Sequence, residues 1–139
     1  MALCRQLFLL NFNVILIDNR KNLSTEEYDK YISKKIVTNY KNVSAFVPST
    51  HKDFIIIMSF SRALDILILS QLIDKPSKYM GLMASMKKAE VIKKVIVEKG
   101  FTFSQIDRVY TPIGIPIKCK SPEEIAVSVA AQMIEIRNQ

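Results

Sequence analysis

The chain has 139 residues, 49% of them hydrophobic and 24% charged, which suits one ordinary globular domain and excludes wholesale disorder. Two distant cysteines, Cys4 and Cys119, exclude a disulfide framework or zinc cluster, and a single histidine, His51, excludes a multi-histidine metal site. Most of the net charge of +7 sits in one stretch: Lys75 to Lys99 holds seven lysines against two glutamates, an excess of five.

Met1–Leu10 reads as a short, truncated-looking helix, with Cys4 on its apolar side. Asn11 and Asn13 follow at once and no small-residue cleavage pattern appears, so a signal peptide is not expected. Val14–Ile17 is a mostly β-branched apolar run, too short for a helix, and Asp18-Asn19-Arg20 ends it. A short helix is expected near Thr25–Tyr31 and a short strand at Lys35–Thr38. Phe54–Met58 and Tyr79–Met83 are further strand-like runs, and Arg108–Tyr110 a weaker one. Runs apolar at nearly every position suit strands covered on both faces. None reaches the roughly 18 apolar residues of a membrane span, so the expected location is the cytoplasm.

Helical periods lie between these runs. Arg62–Ile73 carries Ala63, Ile66 and Leu67 at helical spacing, widened by Leu69 and Ile73. Met86–Lys99 places Ala89, Ile92, Val95 and Ile96 on one stripe, with Gly100 at its C-terminal end. Ser121, Pro122 and Glu124 make a helix start with a capping box. Ile125, Val129, Met133 and Ile136 are the expected buried stripe of that last helix. Strands alternating with helices define an α/β fold with a mainly parallel sheet; right-handed crossovers place helices on both faces. No linker or repeat divides 1–139, which is expected to be a single domain.

Several residues fall where such folds bind ligands. Asp18 ends the first apolar run, where an acid can meet ribose hydroxyls; the favoured reading is an aspartate that ends a strand and caps a turn, since no glycine occurs before Gly81. Ser59 follows the second run and would face the crevice, with Arg62 and Asp65 soon after, but no histidine adjoins it to make a Ser–His pair. Ser85 is an expected N-cap, and Lys87 and Lys88 in the following first turn complete a candidate anion site. Lysine there opposes the helix dipole. A solvated lysine-rich face is the alternative reading of this patch. Nucleic acid is not expected, because the patch lacks arginine and has almost no aromatics. His51 lies in a polar loop. Cys119, between Lys118 and Lys120, is either a thiol of lowered pKa or an incidental cysteine.

Five segments taken together resemble a known family: Val14-Ile-Leu-Ile-Asp-Asn-Arg20, Ile56-Ile-Met-Ser59, Tyr79-Met-Gly-Leu-Met-Ala-Ser-Met-Lys-Lys88, Arg108-Val-Tyr-Thr-Pro-Ile-Gly-Ile115 and Ser121-Pro-Glu-Glu-Ile-Ala-Val-Ser128. They are similar, in order and spacing, to the C-terminal domain of the XdhC/CoxI group, accessory proteins of xanthine dehydrogenase and related molybdenum hydroxylases. The resemblance implies a three-layer, Rossmann-like parallel sheet with helices on both faces, here N-terminally truncated: the family's first strand and glycine-rich turn have no counterpart. It implies a chaperone-type role in cofactor insertion rather than turnover. The implied ligand is the molybdenum cofactor (molybdopterin), with a dinucleotide as the fold-based alternative; the residues expected to hold a ligand are Asp18, Ser59, Ser85, Lys87, Lys88 and Gly114. The implied partners are a molybdenum hydroxylase, a cysteine desulfurase, and a second copy in a homodimer or higher oligomer. Departures from the pattern are Ser59-Phe60-Ser61-Arg62, where the family carries histidines, and Ala84 in place of a glycine. Two further readings stand beside this one: an NAD(P)-binding oxidoreductase-like domain, and a structural subunit without a ligand.

Overall fold

The computed structural model describes residues 1–48 and 50–139. They divide into two compact units, one of residues 1–42 with 114–138 and one of residues 43–113 with Gln139.

In the first unit, helix α1 (Ala2–Leu9) packs on the last helix, α5 (Pro122–Arg137). α1 ends in a Schellman arrangement. Asn11 takes φ 61°, the Asn11 N–H donates to the Phe8 carbonyl, and the Phe12 N–H donates to the Leu7 carbonyl. Leu3 and Leu7 are the buried residues of α1, and Ala126, Val129, Ala130, Met133 and Ile136 are buried on α5. Arg137 ties the two ends, donating to the Leu10 carbonyl at 2.8 Å and lying over the Phe12 ring at 5.0 Å. The expected capping box is present: Ser121 Oγ accepts from Glu124 N–H, and Glu124 accepts from Ser121 N–H. Strands β1 (Ile15–Asp18) and β2 (Lys34–Val37) pair in parallel, Ile15 opposite Lys34 and Asp18 opposite Val37. Between them only Asp29–Tyr31 is helical, a single 3₁₀ turn.

The second unit holds a three-stranded parallel sheet in the order β3-β4-β5, with β3 Phe54–Ile57, β4 Tyr79–Leu82 and β5 Val109–Tyr110. Helix α2 (Arg62–Leu72) carries the chain from β3 to β4. Helices α3 (Met86–Glu98) and α4 (Phe103–Asp107) carry it from β4 to β5. Every residue of β4 is buried, as a central parallel strand requires. Tyr79 stacks on Phe54 at 5.7 Å and on Tyr110 at 4.9 Å, running an aromatic row across all three strands. Burial pushes the Tyr79 phenol far above its ordinary pKa. Gly81 is required by this row: a Cβ there would stand 2.5 Å from Ile113 Cδ1 and 2.7 Å from the Tyr79 hydroxyl.

The chain is thus a mixed α/β protein of parallel sheets flanked by helices, as the alternation of elements requires. The described strands form two separate parallel ladders, β1-β2 in the first unit and β3-β4-β5 in the second. Among the described residues no strand precedes β1.

Several local expectations are corrected. On α2 the buried residues are Asp65, Ile68, Leu69 and Leu72, followed by Ile73, while Ala63 is exposed and Ile66 and Leu67 are half-buried. The helix has apolar residues on more than one face, and packing on β3 and α3 decides which face goes inside. Val95 of α3 is half-buried for the same reason. On α5, Ile125 is 37% exposed and the neighbouring Ala126 is buried in its place. Cys4 is half-buried, with its thiol pKa raised by desolvation. β1 is only partly covered, unlike β4, despite an equally apolar sequence. α4 and the two short 3₁₀ pieces of Tyr40–Ala45, which meet at a kink at Asn42, have no counterpart among the expected elements. No described helix is long and apolar enough to cross a membrane.

Candidate functional site

The site is built from the two turns that follow β3 and β4 in the second unit. Both open a helix capped by serine: Ser61 Oγ accepts from the Leu64 N–H at 3.2 Å, and Ser85 Oγ accepts from the Lys88 N–H at 3.3 Å. Serine caps answer the unpaired N–H groups of a first helical turn. The turn after β4 also continues the sheet ladder, the Met83 N–H donating to the Ile57 carbonyl at 2.9 Å.

Asp65 joins the two turns. Its side chain has no exposed surface. Oδ1 accepts from the Ser59 N–H at 3.2 Å and lies 2.6 Å from Ser59 Oγ. The single hydroxyl proton of Ser59 has a second acceptor, the Ser61 carbonyl at 2.8 Å. Oδ2 meets the Lys88 ammonium at 2.6 Å, with no other donor among the described residues. A buried carboxylate is tolerated only when paired in this way. The Lys88 side chain is 28% exposed, so the pair lies at the rim of the turns. Lys87, one position earlier, is exposed.

Three expected site residues, Ser59, Ser85 and Lys88, are therefore drawn together, and Lys87 stands beside them. Asp65, which the sequence shows only as a residue soon after Ser59, is the one that joins them. Asp18 and Gly114 belong to the other unit, each engaged by its own neighbours. Asp18 Oδ1 accepts from the Arg20 N–H at 2.8 Å and from Nε at 2.9 Å, and Oδ2 accepts from Nη2 at 2.8 Å. Gly114, at φ 95°, donates its N–H to Gln132 Oε1 at 2.9 Å and accepts from Gln132 Nε2 at 3.2 Å. Tyr40, buried near Asp18, has its phenol pKa raised by burial first and by the Asp18 charge second. His51 is exposed and Cys119 half-buried. Among the described residues no group of histidine, cysteine or acidic side chains is arranged to hold a metal ion.

The fork from Arg20 holds the Asp18 carboxyl below the usual carboxylate range, the side-chain hydrogen bond from Arg20 being the largest cause. A carboxyl whose pKa is depressed by folding stabilises the fold above its unfolded value of about 4 and stops doing so as the pH falls through the folded value. Asp18→Asn is thus expected to lose less thermal stability than wild type between about pH 5 and pH 2. Equal losses in melts across that range would contradict the pair.

Parallel strands joined through helices, with serine-capped turns at the carboxyl ends of β3 and β4, are the arrangement of a Rossmann-type α/β protein. The chain belongs to the XdhC Rossmann domain family, whose model matches residues 1–133. The uncharacterized protein YqeB of Escherichia coli (strain K12) is 26% identical over 138 residues, an alignment covering 99% of this chain and 25% of YqeB. A crystal structure of a xanthine dehydrogenase from Bacillus halodurans is similar with a TM-score of 0.82 and 25% identity, covering 99% of this chain and 39% of that one. The chain thus spans a quarter of one relative and about two-fifths of the other.

Proposed function

We propose that this chain is the Rossmann module of an accessory factor for xanthine dehydrogenase-like molybdenum hydroxylases, and that it holds a phosphate-bearing cofactor, the molybdenum cofactor, for delivery rather than for turnover. The observation that carries the reading is the rim of Ser59, Asp65, Ser85 and Lys88 with exposed Lys87, placed where open α/β sheets receive ligands. Family membership and the Bacillus halodurans structure support the xanthine dehydrogenase connection.

The donor set fits one end of such a cofactor. The backbone N–H groups of the α3 start and the Lys87 ammonium suit a phosphate. When bound, the cofactor supplies the molybdenum chemistry of the target enzyme. This chain's own part is to bind and orient the phosphate and release it to the hydroxylase. In this reading a cysteine desulfurase is the further partner, and the chain works in the cytoplasm as an oligomer.

A dinucleotide is the second reading, favoured by Asp18 at the carboxyl end of β1. The Arg20 fork already occupies that carboxylate, so a ribose must displace it.

Reconstitution of a cofactor-free hydroxylase tests the first reading. Adding this chain with isolated cofactor should raise the activity recovered above that with cofactor alone, and Lys87→Ala should reduce the gain. Equal recovery with and without the chain would remove the accessory role.

A further inference from the structure

Lys87 and Lys88 are neighbours in sequence with different tasks. Lys87 is exposed, whereas the Lys88 ammonium is drawn onto the wholly buried Asp65 carboxylate, 2.6 Å away on another helix. Opposite charges that close largely cancel for any ligand farther off than their own separation. A ligand approaching the start of α3 therefore meets one effective lysine charge. Asp65 also holds the turn after β3 through Ser59 Oγ and N–H, so one carboxylate fixes both turns.

We propose that Asp65 is the positioning residue of the rim: it locks the turn after β3 to the turn after β4 and withholds the Lys88 charge from the ligand, leaving Lys87 to meet the phosphate. This rests on the phosphate reading given under Proposed function. The lock makes the rim a weak, single-lysine phosphate holder, as a module that must hand its cofactor on requires. Removing the carboxylate charge releases Lys88 toward the anion.

The test is a double-mutant cycle in the full chain with Lys88→Met, Asp65→Asn and both together, using inorganic pyrophosphate as the probe. Lys88→Met strands a buried carboxylate and should lower Tm by roughly 10 °C, while the double variant recovers at least about half of that loss. Pyrophosphate binding, followed by the backbone amide resonances of 85–88, should tighten at least about threefold in Asp65→Asn and weaken more steeply with salt. Structural damage alone loosens binding, so a gain in affinity is specific to a released lysine. Additive Tm losses overturn the lock whatever the probe does. Unchanged or weaker binding by a well-folded Asp65→Asn overturns the withholding role. Wild-type amides that ignore pyrophosphate beside a coupled cycle overturn the phosphate reading, and the withholding role with it.

Discussion

Gly114→Ala is expected to destabilise the chain by about 4 kcal/mol, adding a left-handed backbone penalty of about 1–2 kcal/mol to an overpacking cost of about 1–3 kcal/mol. The residue sits at φ 95°, where an L side chain is strained. An added Cβ would run into Ser128 Oγ and lie 3.3 Å from the Ser128 Cβ and carbonyl carbon. Ser128 cannot simply swing aside. It is 4% exposed on the inner face of α5, and its hydroxyl donates to the Ile115 carbonyl at 2.8 Å. Moving it breaks that bond and disturbs the Gln132 clasp on the Gly114 peptide. Urea unfolding measures the effect, and a loss below about 1 kcal/mol would show that this close approach is not a constraint.

Leu82→Ala is expected to cost about 4 kcal/mol, within the range for emptying a fully buried leucine site. Leu82 has no exposed surface, ends the wholly buried strand β4 and lies opposite Ile57 of β3. Sheet backbone cannot collapse into the space as a loose loop can, so most of the cavity should persist. The next residue, Met83, is bonded to the Ile57 carbonyl and leads into the Ser85 turn, so the same change should loosen the rim. Urea unfolding with an unchanged midpoint would contradict this account of the sheet core.

Much of the scaffold was legible because its signals are local. Ser85, Ser121 and Glu124 announce helix starts through bonds that span three residues, and Gly100, found at φ 96°, announces a helix end. The apolar runs around Ile17, Ile57 and Leu82 identified strands without giving their register, which long-range packing sets. The box from Thr102 to Gln105 carried the same signal as that at Ser121, yet α4 went unseen because five residues are too few for periodicity.

The site was less legible. Asp65 stands three residues before Ile68 and four before Leu69, at the head of the stripe that turns inward, so its spacing was a usable sign of burial. A reading by hydrophobicity skips a carboxylate, and its partner Lys88 belongs to a different helix. The lysine-rich stretch pointed to the right face but not to the division of labour between Lys87 and Lys88. That division depends on a contact between two turns that no sequence spacing reveals.

The most direct test of the cofactor reading is equilibrium binding of isolated molybdopterin to the wild-type chain and to Lys87→Ala, with NAD and NADP titrated in parallel. Saturable pterin binding is expected, weakened about tenfold by loss of one charge-assisted bond in Lys87→Ala. No pterin binding, or equal binding by both proteins, would contradict it.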